Sequence, residues 1–151
     1  QMKAVITFWS KPQIWSNLIF LLPVSIAIIN GYLFGATLLM ITLIVSVIYH
    51  SFQDEVDIQW FFLRNNVPIS EFIAGILDYV CGLSVVVLFT IRFFSNGPND
   101  FMVIVFTVLV TIGFIIFLGP NYFKFLNRWS VTHSHSVWHI ISGLIATITL
   151  I

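Results

Sequence analysis

The sequence has little charge and only one cysteine. Asp, Glu, Lys and Arg make up 8% of its 151 residues, and six basic side chains balance six acidic ones. Because the chain has no excess of positive charge, it has no electrostatic surface for nucleic acid, and this class of partner is excluded. Cys81 cannot form an intramolecular disulfide, and in its apolar stretch a thiol is usually a small packing residue.

Apolar residues, in contrast, are abundant. They form 59% of the chain, and the mean hydropathy is +1.03. This composition predicts a multi-pass integral membrane protein, because a soluble domain does not tolerate so much apolar surface. A transmembrane helix needs roughly 20 apolar residues. Runs of suitable length lie near residues 14–30, 33–50, 70–92, 100–118 and 133–151.

The predicted fold class is all-α, a polytopic transmembrane helix bundle of about five spans that forms one domain, residues 1–151. Continuous apolar runs favour helices, because the strands of membrane barrels alternate in polarity. Turn residues separate the runs at Asn30-Gly31, at 95–99 and at Gly119-Pro120-Asn121. The first run lacks a small-residue cleavage site, so we expect a retained helix and not a signal peptide. The ends of the sequence suggest a processed chain or part of a longer one.

Basic residues are distributed unevenly between the predicted loops. If the five spans alternate in direction, five of the six basic residues lie on the side of the N-terminus, and only Arg92 lies on the other. Positive charge concentrates on the cytoplasmic side of membrane proteins, or on the matrix side in an organelle. The N-terminus is therefore predicted to face the cytoplasm or the matrix. The five residues are Lys3, Lys11, Arg64, Lys124 and Arg128.

Five polar residues in or near the ends of the predicted spans form a pattern. His50 ends the second span, Asp78 lies about two turns into the third, and His135 and His139 begin the fifth. Ser46 precedes His50 by four residues, as His135 precedes His139, so each pair lies on one helix face. An Asp at mid-bilayer costs roughly 2.5–3.5 kcal/mol on insertion scales. Such residues therefore indicate a functional site.

The topology predicts that these five residues lie at similar depth, because the second span ends where the third and fifth begin. The imidazoles of His50, His135 and His139 can bind zinc and leave a fourth tetrahedral position for water, although iron or another divalent ion also fits three histidines. Asp78 would act as general base, and Ser46 would donate to the water or to the developing oxyanion. A zinc-bound hydroxide would be the nucleophile.

Simpler explanations exist for individual residues. His50 beside Tyr49 could be an interfacial side chain, and Asp78 could pair with a His or Ser and hold helices together. His133 lies six residues before His139 and points elsewhere on a helix, so we interpret it as interfacial. Asp54, Glu55 and Asp57 predict a solvated acidic loop. The tryptophans are interpreted first as residues of the interfacial belt; they are Trp9, Trp15, Trp60, Trp129 and Trp138.

In order along the chain, these motifs resemble the CREST superfamily of multispanning metal-dependent hydrolases, which includes alkaline ceramidases and the progestin and adiponectin receptors. The family pattern is Ser and His four apart on an early helix, Asp on the next, and HxxxH on the last. The matching segments are Ser46-Val47-Ile48-Tyr49-His50, Leu77-Asp78-Tyr79 and His135-Ser136-Val137-Trp138-His139. The last segment and the long gap before Asp78 are most similar to the myomaker branch. The resemblance covers roughly residues 33–151.

The resemblance implies that His50, His135 and His139 bind zinc, that Asp78 and Ser46 hold the water, and that the substrate is a lipid. Family members have seven spans, three of them between the aspartate helix and the HxxxH helix, whereas this sequence has room for one there. The predicted bundle is therefore reduced relative to the family.

Two hypotheses about function follow. The first is a zinc-dependent intramembrane hydrolase that cleaves an amide or ester bond of a lipid, which enters from the side. The second is a non-catalytic membrane subunit or scaffold of a larger complex, with a structural or vestigial metal site. For the partners of the chain, a homo-oligomer and a membrane complex are both open alternatives. A transporter is disfavoured, because the ionisable groups lie at one depth and do not form a path.

Overall fold

The computed structural model describes residues 11–52, 67–122 and 131–151, with side chains described as far as residue 116 in the fourth helix and from residue 136 in the fifth. All regular secondary structure within these ranges is helical, which confirms the predicted all-α bundle. The five helices are α1 (Pro12–Ile29), α2 (Leu33–Phe52), α3 (Ile69–Ser95), α4 (Asp100–Tyr122) and α5 (Val131–Ile148).

Three helices, α1, α2 and α3, are long and apolar enough to cross a membrane. The parts of α4 and α5 with described side chains, Asp100–Ile116 and Ser136–Ile148, are shorter apolar helices. Large apolar side chains cover the outside of the bundle: Ile29 is 82% exposed and Phe101 is 71% exposed. So much exposed apolar surface is typical of a protein surrounded by lipid.

Helix α1 is not uniform along its length. A 3-10 turn, Asn17–Phe20, separates the α-helical segments Pro12–Ser16 and Leu21–Ile29. Pro23 lies in the first turn of the second segment. It has no N–H to donate and would crowd the carbonyl of Ile19 in a regular α-helix. The tighter 3-10 geometry around Ile19 is the expected local response.

Glycine turns join consecutive helices where the sequence predicts them. Gly31 (φ +70°) lies between α1 and α2, and Gly97 (φ +65°) lies between α3 and α4. Both positions need the left-handed conformation that glycine adopts most readily. The Asn99 side chain then accepts a hydrogen bond from the backbone N–H of Met102 at 2.9 Å, which caps the start of α4.

The turn predicted at Gly119-Pro120-Asn121 is wrong. Helix α4 continues through these residues and ends at Tyr122. In apolar surroundings an interrupted helix leaves several backbone groups unpaired, whereas one proline removes a single donor. Continuing the helix is therefore the less costly arrangement.

Close backbone contacts join α2 to α3, α4 to α5, and α1 to both α2 and α5. By contrast, α3 and α4 diverge beyond the turn that joins them, where Phe93 and Phe106 stack with ring centroids 4.5 Å apart. The main core lies between α1, α2, α3 and α5 and includes the fully buried Ala27 and Leu39. This arrangement leaves a space between α3 and α4.

Candidate functional site

The start of α1 is tied to the end of α2 by Lys11. Its Nζ donates hydrogen bonds to the carbonyl oxygens of His50 and Ser51, each at 3.2 Å. The last carbonyls of a helix have no partner within that helix and carry partial negative charge, so a lysine stabilises them. This contact fixes the end of α2, and with it His50, at the level where α1 begins.

His50 and His139 meet in the interior of the bundle. His50 is 1% exposed and His139 is 5% exposed, and their ring centroids are 5.2 Å apart. Two imidazoles that bind one tetrahedral zinc ion at about 2.0–2.1 Å have ring centroids about 5 Å apart. The spacing of this pair therefore fits a shared metal ion.

Ser16 holds the His139 ring from α1. Its Oγ lies 3.1 Å from His139 Nδ1 and 3.0 Å from the carbonyl oxygen of Gln13. A hydroxyl has one proton, and a carbonyl can only accept, so Ser16 donates to Gln13 and accepts from His139 Nδ1–H. In the neutral imidazole, Nε2 is then the ring nitrogen with the lone pair, which is the atom that a metal ion would bind.

Ser46 and Asp78 connect α2 to α3. The Ser46 side chain, which is 3% exposed, hydrogen-bonds the Asp78 carboxyl group. The expectation that a buried Asp78 would need a Ser or His partner agrees with this contact. The bond both joins two helices and orients the carboxyl group, so it suits a structural role as well as a catalytic one.

A cavity of about 380 Å³ lies beside these residues. Ser46, Asp78 and His139 line it, and much of the remaining wall consists of apolar side chains from α3, α4 and α5. Sites for lipids and other small molecules typically combine a few convergent polar groups with a largely apolar wall. The cavity therefore has the polarity expected for a molecule with a polar head and an apolar chain.

Trp138 is a correction to the prediction of an interfacial belt. It lines the cavity, and its ring lies 5.9 Å from that of Phe114, measured between centroids. Gly113 allows this approach, because a Cβ there would lie 2.9 Å from the Trp138 ring. Trp15, in contrast, is 49% exposed at the start of α1, as a belt residue would be.

Sequence reasoning did not identify Ser16, Asn17 or Ser142, although all three lie at or near this site. Asn17 and Ser142 line the cavity, and Ser16 contacts His139. In the sequence, each of these residues is a single polar residue in an apolar run. The same pattern is shown by serines and threonines that only hydrogen-bond to a carbonyl of their own helix, such as Thr42, which donates to the Leu38 carbonyl oxygen. The pattern alone therefore does not identify a site residue.

Several predicted residues lie outside the described part of the chain. The backbone of His135 belongs to α5, but its side chain is not described. Among the residues with described side chains, no group of three His, Cys, Asp or Glu residues could hold a metal ion, and this set does not include His135. The zinc site therefore stays a prediction. Also outside are the side chain of His133, the acidic cluster Asp54, Glu55 and Asp57, and Trp9, Trp60 and Trp129.

Comparisons of the chain with protein-family models, with curated proteins and with solved structures find no match.

Proposed function

We propose that this protein is a zinc-dependent intramembrane hydrolase that cleaves an amide or ester bond of a lipid. The observation that supports this most directly is the convergence of Ser46, Asp78 and His139 at a cavity with a largely apolar wall. The cavity suits a substrate whose chain lies among apolar residues and whose carbonyl reaches the polar groups. The proposal also includes membership of the CREST superfamily, on the motifs described above.

In this proposal His50, His135 and His139 hold the metal ion. The 5.2 Å separation of the His50 and His139 rings supports the first and last of these assignments. A bound zinc ion would supply Lewis acidity and activate a water molecule near neutral pH. Ser16 holds His139 with Nε2 as the acceptor nitrogen, so this ring is already in the tautomer that a ligand needs.

Asp78 is the proposed general base. Its carboxyl group lines the cavity and is oriented by the hydrogen bond from Ser46, so it can take a proton from the attacking water and pass it to the leaving group. Ser46 holds the carboxylate through its single hydroxyl proton and also lines the cavity. Once Asp78 has taken the proton from water, its own O–H can donate to Ser46 Oγ, and the Ser46 hydroxyl can then donate to the developing oxyanion. These roles use only residues that share one end of the bundle.

The lipid would enter from the side, between α3 and α4. Three cavity-lining residues are also exposed on the outer surface: Leu83 is 64% exposed, Val86 is 43% exposed and Phe114 is 47% exposed. Leu83 and Val86 belong to α3, and Phe114 belongs to α4, so the cavity reaches the outer surface where these two helices diverge. A membrane lipid could then reach the site without leaving the bilayer.

We further propose that all five helices cross the membrane and that the site lies near the cytoplasmic or matrix face. Contacts of α1 support the alternating directions: Ser16 contacts His139, and Asn30 donates to the Leu150 carbonyl at 2.7 Å, so α1 and α5 run in parallel. Lys11 contacts the end of α2, so these two helices are antiparallel. The excess of basic residues on the N-terminal side gives the orientation.

Metal content tests the proposal first. Detergent-purified protein is expected to hold one zinc per chain, measured by mass spectrometry, and the double variant His135→Ala, His139→Ala is expected to lose it. His133→Ala is the matched control and should keep the metal, because His133 is predicted to be interfacial. Wild-type protein without stoichiometric metal would overturn the hydrolase proposal and favour the scaffold hypothesis.

Turnover tests the role of Asp78. Asp78→Asn preserves the shape of the side chain but removes the base, so lipid hydrolysis is expected to fall about 10²- to 10⁴-fold with zinc retained. Release of fatty acid from long-chain amides and esters, followed by mass spectrometry, measures this loss. Hydrolysis at the wild-type rate in Asp78→Asn would contradict the assignment.

A further inference from the structure

Asn17 is a fully buried polar residue on the wall of the cavity. It lies in the 3-10 turn of α1 with 0% of its surface exposed. Its Nδ2 donates to the Gln13 carbonyl oxygen at 2.8 Å, which fixes which end of the amide is the donor. Oδ1 is consequently the acceptor end, and it has no hydrogen-bond partner among the described residues.

A buried acceptor without a donor is unfavourable in any protein, and more so where no bulk water is available. A leucine has nearly the same shape and would fill this place without that cost. The polar atom therefore indicates that a donor reaches Asn17 from the cavity when a ligand is bound. A role in packing alone would not explain why the side chain of Asn17 has a buried carbonyl oxygen at this position.

A second residue on another helix gives the same indication. Ser142 lies three residues after His139 on α5 and lines the cavity, and its buried Oγ has no hydrogen-bond partner in the described part of the chain. Asn17 directly follows Ser16, which contacts His139. Both unpartnered atoms therefore belong to the part of the cavity nearest His139.

We propose that Asn17 determines substrate specificity: its Oδ1 accepts a hydrogen bond from an N–H or O–H group of the lipid next to the bond that is hydrolysed. The inference rests on the proposed function for the identity of the ligand. It narrows the substrate class, because a simple ester has only acceptors and leaves Oδ1 unpaired. A secondary amide supplies an N–H, and a lipid with a hydroxyl beside its carbonyl supplies an O–H.

Binding of matched lipids tests this inference. N-methylpalmitamide has one N–H, whereas N,N-dimethylpalmitamide and methyl palmitate have none. Wild-type protein in nanodiscs should bind the first about tenfold more tightly than the second, measured by displacement of a fluorescent fatty-acid probe. In a separate arm, methyl 3-hydroxypalmitate is compared with methyl palmitate, which identifies whether an N–H or an O–H is the preferred donor.

Asn17→Leu should abolish the preference for the donor in both arms. The second N-methyl group of N,N-dimethylpalmitamide has the same steric effect in wild type and variant. Dividing the wild-type preference for N-methylpalmitamide by that of the Asn17 variant therefore isolates the contribution of the hydrogen bond. Ser25→Ala is the control, because Ser25 is an exposed polar residue of the same helix and should keep the preference. If Asn17→Leu does not fold, Asn17→Ala is measured instead, since it adds no bulk to the cavity.

No preference for a donor in the wild type, or an unchanged preference in the Asn17 variant, would overturn the inference. Mass spectrometry of the same samples reports hydrolysis separately. A preference for the donor without hydrolysis would support the role of Asn17 in binding and contradict the proposed hydrolase function. Hydrolysis without such a preference would support the hydrolase function and contradict the role of Asn17.

Discussion

The two ends of the bundle are held together in different ways. At the end with His50 and His139, polar contacts join the helices: Lys11 to the end of α2, Ser16 to His139, and Ser46 to Asp78. At the opposite end apolar packing dominates. There the buried core includes Ala27, Leu39 and Phe89.

Among the described residues, two polar contacts between distant parts of the chain lie at the rim of the opposite end. The guanidinium carbon of Arg92 lies over the Tyr32 ring, 4.2 Å from the ring centroid. The Asn30 side chain donates a hydrogen bond to the Leu150 carbonyl oxygen. Polar groups inside a membrane protein add less stability than dense packing, and burying them is costly. The comparison suggests that the packed end stabilises the bundle, whereas the polar end is where we propose that the chemistry takes place.

The largest expected effect on stability comes from Leu39, which is 0% exposed in the packed end. Leu39→Ala should lower the free energy of unfolding by about 2–5 kcal/mol, because it removes apolar contacts and leaves a cavity. Unfolding in mixed micelles, followed by circular dichroism, measures the loss. Leu33→Ala on the same helix is the matched control, since Leu33 is 64% exposed and should change stability little. Equal losses at the two positions would contradict the conclusion that buried apolar packing stabilises this end.

The sequence was sufficient to predict the two helices α2 and α3, which run from one end of the bundle to the other. The runs at 33–50 and 70–92 correspond to Leu33–Phe52 and Ile69–Ser95, because hydrophobic length alone determines such elements. Helix ends were less predictable. Helix α4 continues past the turn residues Gly119-Pro120-Asn121, because pairing the backbone groups in apolar surroundings outweighs the local preference of these residues for a turn.

The polar end was predictable only in part. Ser46 and His50 were expected on one helix face, and both are buried, because a spacing of four residues determines the face. Ser16 was not predicted, since it lies 123 residues from His139 in the sequence. Its position depends on how α1 rotates against α5 and on a 3-10 turn, and local sequence does not determine either.

A smaller effect is expected for Ser16, and it tests the polar end. Ser16→Ala removes the acceptor for His139 Nδ1–H. With His139 as a zinc ligand, as we propose, the affinity for zinc should fall about 10- to 100-fold, which is typical when a residue that orients a metal ligand is removed. Ser16→Thr keeps the hydroxyl and should restore most of the affinity. Competition with a chromophoric chelator measures both, and thermal unfolding should change little. Wild-type affinity in Ser16→Ala would show that the contact has no positioning role.

The smallest effect is expected where the two ends meet, at Gly143 on α5. A Cβ there would lie 2.7 Å from Ile19 Cγ2 on α1. Because Ile19 is β-branched, its side chain has few alternative rotamers with which to avoid this contact. Overpacking of this kind costs about 1–3 kcal/mol. Alanine has a better helix propensity than glycine, and this gain offsets about 1 kcal/mol of the cost. Gly143→Ala should therefore lower the free energy of unfolding by about 1 kcal/mol.

Gly82→Ala on α3 provides the comparison for Gly143→Ala, because a Cβ at Gly82 would meet nothing within 4 Å. With no overpacking, only the propensity gain remains, and the free energy of unfolding should rise by up to about 1 kcal/mol. The two substitutions add the same methyl group to apolar helices, so opposite signs in the same unfolding assay would isolate the close contact between α1 and α5. Equal effects would mean that α1 does not press on α5 at Gly143, and the contact between Ser16 and His139 would then lack the rigid support that its positioning role requires.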